Sequence, residues 1–386
     1  MSRHTGSAIG LEPIQVTGRL ARLGRRLTDG NLDCLLVTTL ANVRYLTGFS
    51  GSAGMLLVAR GHGDPAGSAF LCTDGRYRTQ SAEQLEAAGA AGEFETFIGQ
   101  LAEQRKFIAG VVSDICGHEG GMVGLEAEHV SWADQRRWAG LLGSSELVAT
   151  ADLVEQLRVV KDFAEIARIE AAAHIADEAL ERVVPVLVQS PTESEFALAL
   201  DAEMRRGGAE DRAFETIVAS GPNSAKPHHE PGSRRIARGD TVVIDFGAVV
   251  DGYRSDMTRT FFVGGEPEPK MRDVYDAVLE SQAEGVDAVA AGASGRQVDA
   301  VCRNSLARAG LGDAFEHGTG HGVGLDIHEA PSIAKSSTAI LPDGAVVTVE
   351  PGAYLRGLGG VRIEDTVVVT VEGCRILTNF TKDPWR

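Results

Sequence analysis

Residues 241–260 read TVVIDFGAVVDGYRSDMTRT, and the fold of the second half of the chain turns on them. Two apolar, β-branched runs flank Asp251-Gly252, a strong signal for a two-residue hairpin turn. If those two residues form the turn, Val250 opposes Tyr253, and counting back places Gly247 opposite Asp256. Asp245 is two residues from Gly247 and so on the same face. Asp245 and Asp256 then become diagonal cross-strand neighbours, within side-chain reach of one shared ion. Val243 and Ile244 are apolar, which makes Asp245 a carboxylate in a buried-looking strand. A pair of exposed hairpin acids is the plain alternative.

A second stretch, His317-Gly-Thr-Gly-His321-Gly-Val-Gly-Leu325, rules out a zinc-binding helix, because four glycines in nine residues make a helix untenable. Read with period two, His317, Thr319, His321, Val323 and Leu325 share one face. The other face is all glycine, which lets another backbone or a ligand approach closely. A phosphate-cradling loop is the rival, but the Lys-Ser/Thr pair and a following helix are missing. His328 follows seven residues after His321.

The third stretch supplies two more acids. Glu350 ends the apolar run 346–350, an expensive place for an unpaired carboxylate. In the strand expected over 361–371, Arg362, Glu364 and Thr366 fall on one face, with glycines at 357–360 able to turn the chain. Taken together, Asp245, Asp256, Glu350 and Glu364 would repel one another and take up protons unless cations neutralise them. Two divalent ions balance four carboxylates and leave His321 as a neutral ligand. Oxygen-rich ligation with one imidazole favours Mn²⁺ or a similar ion, and two ions about 3.5–4 Å apart would hold a hydroxide for attack on a carbonyl.

Outward from these stretches, the organisation is of two domains, residues 1–155 and 156–386. The first alternates helical and strand patterns: a helix over 16–29 and strands over 32–38, 52–60 and 68–73, the last two separated by a Gly/Pro-rich loop at 61–67. That makes an α/β unit. In the second, Asp162 with Glu165 and Thr192 with Glu195 fit capping boxes that open helices to about Val184 and Arg206. Further helices are expected over 271–291 and 295–309, and strands over 216–220, 241–263, 346–350, 361–371 and 375–379. The second domain is therefore α+β.

Composition excludes several classes. The 386 residues are 43% hydrophobic and 24% charged, with 37 Lys plus Arg against 54 Asp plus Glu, a formal charge of −17. A phosphate backbone would be repelled, so nucleic acid is not an expected partner. No run is long and apolar enough for a membrane span, and the N-terminus has no apolar signal-peptide core. Five scattered cysteines, Cys34, Cys72, Cys116, Cys302 and Cys374, show no disulfide framework and suit reduced thiols in the cytoplasm.

The ordered motifs carry a resemblance. D-F-G at Asp245, S-D-M-T-R at Asp256, H-G-T-G-H-G-V-G-L at His321, E-P-G at Glu350 and R-I-E-D at Glu364 resemble the five-ligand pattern of the "pita-bread" metallopeptidases. Within them the chain is similar to the Xaa-Pro aminopeptidase and Xaa-Pro dipeptidase (prolidase) branch. N-V-R-Y-L-T-G-F-S-G-S at 42–52 and T-D-G-R-Y at 73–77 resemble the creatinase/prolidase N-terminal domain. The likeness runs from about Ile14 to the end.

The resemblance implies a peptidase with two divalent ions, Mn²⁺ foremost and Co²⁺ or Zn²⁺ as alternatives, acting on a proline-containing peptide and assembled as a homodimer. By that pattern Asp245 chelates one ion, Asp256 and Glu364 bridge both, and His321 and Glu350 complete the other, Glu350 doubling as general acid and base. His228 and His328 would stabilise the tetrahedral intermediate and the proline side, His317 would line the pocket, and Arg362 would orient Glu364. His229 is read as supporting or exposed, and His4, His62, His118, His129 and His174 as ordinary. A metal-free amidinohydrolase of the creatinase type and a non-catalytic peptide-binding module are disfavoured by the intact ligand set. Between the two Xaa-Pro activities, residues 329–349 contain no Arg to seize a dipeptide carboxylate. Arg356, or an arginine of the N-terminal domain or a partner subunit, could still serve. The expectation is therefore an Xaa-Pro aminopeptidase, with strict dipeptidase as the alternative.

Overall fold

The computed structural model describes residues 10–61, 67–117 and 119–386. The core of the expected loop at 61–67, and His4, His62 and His118, lie outside the described residues. Two compact units emerge, Glu12–Arg158 and Val159–Arg386, against the sequence division at 155/156.

The first unit is a six-stranded mixed sheet in the order Phe94–Ile98, Ala69–Thr73, Gly54–Ala59, Cys34–Val37, Met122–Glu126 and Glu146–Thr150. Its core gathers Leu36, Leu57, Cys72, Ile108, Val112 and Trp138. The first helix is Arg19–Asp29, three residues shorter at its start than its periodicity predicts. Gly18 explains the difference: it precedes the helix with φ 81°, a left-handed conformation that stops the helix extending backwards.

In the second unit two helix pairs each cover a sheet. Helices Phe163–Val183 and Glu193–Arg206 open with the expected capping boxes, each Glu side chain returning to the N-cap backbone. Their apolar faces bury Ala176, Leu180, Phe196 and Leu200 against Val218, Val242, Ile244 and Phe261 of a three-stranded antiparallel sheet, Met257–Phe262, Thr241–Phe246 and Ile217–Ser220. Helices Pro269–Asp287 and Gly295–Arg308 pack Val278, Val298, Cys302 and Leu306 against Val347, Val349, Val367 and Val369. Those valines belong to a five-stranded sheet, Glu329–Ile333, Gly320–Gly322, Val346–Val349, Asp365–Thr370 and Gly373–Ile376.

The 241–260 hairpin adopts the register read from its turn. Val250 pairs with Tyr253, Phe246 with Met257 and Asp245 with Thr258. Asp251 and Gly252 both have positive φ, 46° and 74°, as a type I′ turn requires. Between the paired segments the ladder is tight: a Cβ on Gly247 would lie 1.9 Å from the Ser255 carbonyl oxygen.

Three expected strands are altered. The period-two reading of 317–325 survives as strand only over Gly320–Gly322, with an irregular register toward Glu329–Ile333. Its all-glycine face does admit neighbouring backbone: a Cβ at Gly320 would lie 2.0 Å from Thr348 O, and one at Gly322 2.3 Å from Ala330 O. The strand expected over 361–371 breaks into Gly359–Arg362 and Asp365–Thr370. Between them Glu364 N bonds Thr258 O, which draws the chain off its own ladder. The last strand is Gly373–Ile376 rather than 375–379, because Asn379 and Phe380 leave the sheet to donate their backbone N–H groups to Asp177.

All five cysteines are free thiols, three of them buried. Among the described residues no helix is long and apolar enough to cross a membrane.

Candidate metal centre and active-site cleft

The two sheets bring the separated acids together. Asp245, Asp256 and Glu364 each offer a carboxylate oxygen within 4.8 Å of the others. His321 Nε2 lies 3.6 Å from Asp256 Oδ2 and 3.5 Å from Glu350 Oε1. The five expected ligand residues thus face one volume, although only Asp245 and His321 lie within strands; Asp256 just precedes Met257–Phe262, Glu350 just follows Val346–Val349, and Glu364 sits in the 363–364 break. That break matters, since leaving the ladder lets Glu364 Oε2 accept from Thr258 Oγ1 at 2.8 Å.

The electrostatics argue that this arrangement needs cations. Burial, then the neighbouring carboxylates, raise Asp256 and Glu364 well above the usual carboxylate range. Burial pushes Glu350 up to about 8, against the opposing pull of Arg362. Burial also lowers His321 to about 4, so it presents a neutral imidazole. Its Nδ1 lies 2.9 Å from Gly322 O, which leaves Nε2 as the free lone pair facing Asp256 and Glu350. Asp245 Oδ1 is buried with no hydrogen-bond donor. An orphaned acceptor beside three other acids and a neutral imidazole is a donor set suited to divalent ions.

Arg362 departs from its expected role. Its Nη2 is 2.6 Å from Asp245 Oδ2, not on Glu364. It reaches Glu364 only through Thr258, whose Oγ1 accepts from Arg362 Nε at 3.0 Å. Arg362 Nη1 also donates to Tyr354 Oη at 2.8 Å. Since that guanidinium can only donate, the Tyr354 hydroxyl proton goes to His317 Nε2, 2.8 Å away. His317 Nδ1 then donates to Gly318 O at 2.7 Å. Burial, with Arg362 behind it, lowers His317 to about 4. His317 is therefore a neutral wall residue with both nitrogens engaged internally.

His228 and His328 both line a cleft of about 920 Å³ that also contains the acid cluster. The His328 ring packs edge-on to His321, centroids 4.4 Å apart. His229 is half-buried on Glu193, with Nε2 2.8 Å from Oε2. His129 and His174 lie outside the cleft, beside Glu155 and Glu178.

Sequence reasoning missed three supporting residues. Tyr354 follows Glu350 on a short strand with no distinguishing spacing. Asp299, buried on its helix, accepts the backbone N–H and hydroxyl of Thr319 and so holds the His321 strand. Glu193 sits inside the T-x-x-E capping motif, where it reads as an ordinary first-turn acid.

Residues 167–371 match the model of metallopeptidase family M24, and residues 19–160 that of the creatinase/prolidase N-terminal domain. The chain is 37% identical over 366 residues to an uncharacterized peptidase of Bacillus subtilis, covering 95% of this chain and 99% of the relative. Among solved structures it is similar to an Xaa-Pro dipeptidase from Bacillus anthracis (TM-score 0.88, 36% identity, 96% and 99% of the two chains covered). It is also similar to an X-Pro aminopeptidase from Thermotoga maritima (TM-score 0.82, 35% identity, 93% and 98% covered).

Proposed function

We propose that this chain, which belongs to metallopeptidase family M24, hydrolyses Xaa-Pro peptide bonds as an aminopeptidase, releasing the residue that precedes proline. The observation that carries the reading is the convergence of Asp245, Asp256, His321, Glu350 and Glu364 on one volume, with Asp245 Oδ1 buried and unpartnered. These residues would hold two divalent ions, Mn²⁺ by the hardness of the donors. When bound, such ions supply Lewis acidity and electrostatic stabilisation at the scissile carbonyl.

The chain's own residues do the rest. Glu350 takes the proton of the attacking water and returns it to the proline nitrogen, which must be protonated to leave. His228 and His328, on the cleft wall, donate to the developing oxyanion and flank the proline side. Arg362 and Tyr354 fix Asp245 and keep His317 neutral. Proline lacks an amide N–H and has a fixed φ, so recognition falls to shape. Phe214, Ile217, Pro227, Pro231 and Ile327 give the cleft apolar wall for it.

The aminopeptidase reading rests on charge. Among the described residues, Arg362 is the only Lys or Arg lining the cleft. It is committed to Asp245, Tyr354 and Thr258. A strict dipeptidase needs a free cation for the proline carboxylate. The neighbouring structure named an Xaa-Pro dipeptidase keeps that second reading open to test. Hydrolysis of Xaa-Pro and Xaa-Pro-Xaa peptides with Mn²⁺, before and after chelation, tests both the chemistry and the choice.

A further inference from the structure

The segment from Ser220 to Gly232 carries His228 across the cleft wall. No side chain among the described residues holds the His228 ring by a hydrogen bond, so its aim depends on the backbone that bears it. One buried carboxylate holds that backbone. Glu193, with its side chain at 0% exposure, lies at the start of the Glu193–Arg206 helix. Its Oε1 accepts from Ser220 N at 2.9 Å, Ser220 Oγ at 2.6 Å and Asn223 Nδ2 at 3.0 Å. Its Oε2 accepts from His229 Nε2 at 2.8 Å and Gly232 N at 3.1 Å.

We propose that Glu193 is a positioning residue for His228: its carboxylate clamps both ends of the 220–232 segment and so sets where the imidazole faces the acid cluster. The proposal deepens the functional reading above and rests on its assignment of His228 to the substrate. Burial would drive Glu193 toward its neutral form, yet the donors of Ser220, Asn223 and His229 outweigh burial and hold it down to about 2. The group is therefore an anion, an acceptor at both oxygens, and His229 must carry its proton on Nε2. Ser194 repeats the closure at the far end, its hydroxyl bonding Pro231 O at 2.8 Å and Gly232 O at 3.0 Å. At the near end Ser220 Oγ has one further partner, Arg234. Loss of the carboxylate leaves the buried Ser220 N–H and the half-buried Gly232 N–H unpaired and frees the His228 backbone to shift, and a displacement near 1 Å costs on the order of 10²-fold in rate.

The test is a double-mutant cycle on the Mn²⁺-loaded enzyme with a Xaa-Pro substrate, metal content measured in every variant. His228→Ala should lower kcat by about 10²–10³-fold. Glu193→Ala should lower kcat by about 10–100-fold with KM changed less than about threefold and metal retained. The double variant should be no slower than His228→Ala, within about threefold. Losses that multiply overturn the positioning role, as does a Glu193→Ala effect confined to metal content. Full activity in His228→Ala overturns the assignment of His228 itself, and with it this inference. If Glu193→Ala does not fold, the same cycle is run with His229→Ala, which removes one donor and leaves the carboxylate in place. The same criteria then decide.

Discussion

Arg362 and Asp245 form a buried ion pair, Nη2 to Oδ2 2.6 Å, which leaves the other Asp245 oxygen buried and without a donor. The pair fixes the aspartate beside Asp256 and Glu364, which each bring a carboxylate oxygen within 4.8 Å of one of its own. Outer-shell partners of this kind typically control metal affinity by 10–100-fold. Arg362→Met should therefore lower Mn²⁺ affinity by about that factor. Breaking a buried pair on one side costs about 3–5 kcal/mol of stability, so the melting temperature should fall as well. Titration calorimetry with Mn²⁺ on the purified variant checks the first point. Wild-type affinity would show that Asp245 needs no such support.

Metal removal should change the pH dependence of stability as well as abolish activity. In the folded chain without ions, Asp256, Glu364 and Glu350 all titrate above their ordinary values, Glu350 at about 8 against 4.5. The folded state then holds more protons than the unfolded state between those limits. Stability is present below about pH 4.5 and is lost as pH rises through about 8. The EDTA-treated protein should show a melting temperature that falls across this window, and Mn²⁺ should restore a high, flatter profile. A chelated sample with unchanged melting and full activity, confirmed ion-free by elemental analysis, would refute the metal centre.

His228 and His328, on the cleft wall, should separate binding from turnover. His228→Ala and His328→Ala are expected to retain metal and lose about 10²–10³-fold in kcat, the usual cost of one oxyanion donor. Asp256→Ala and Glu364→Ala should instead lose metal. Elemental analysis alongside initial rates distinguishes the two classes. A histidine variant that loses its ions yet keeps its rate per ion belongs to the ligand set.

Much of this centre was legible in the chain because its signals are local. Asp251-Gly252 sets the register that places Asp245 and Asp256 together, and four glycines deny a helix to His317 and His321. The capping acids Glu165 and Glu195 mark two helices for the same reason. What escaped depends on distant partners. Arg362 lies beside Glu364 in sequence, but the break at 363–364 turns Glu364 to Thr258 and leaves Arg362 facing Asp245, 117 positions away. Glu193 obeys helix-start chemistry locally, while its five donors come from a segment about 30 residues further on. Helix Arg78–Ala87 buries only Ser81 and Leu85, too little apolar periodicity to announce itself.

The proposed preference for longer peptides rests on charge: among the described residues, the cleft holds no uncommitted Lys or Arg. Discrimination for a dipeptide requires a cation for the carboxylate of proline, and an uncommitted bidentate arginine is the efficient choice. Arg362 lines the cleft but already donates to Asp245, Tyr354 and Thr258. Diverting it would free Asp245 and His317 together. Arg356, the nearest alternative in sequence, is not among the cleft-lining residues. Extending the peptide beyond proline removes the carboxylate for which the described residues of the cleft offer no free Lys or Arg, so Xaa-Pro-Xaa should be cleaved at least as well as Xaa-Pro. The comparison is kcat/KM for the two at a matched N-terminal residue, with the metal saturating. A dipeptide preference above tenfold, about 1.4 kcal/mol of transition-state discrimination, reverses the assignment to dipeptidase. It would also require a carboxylate-binding cation beyond the residues that line this cleft, while leaving the role of the acid cluster unchanged.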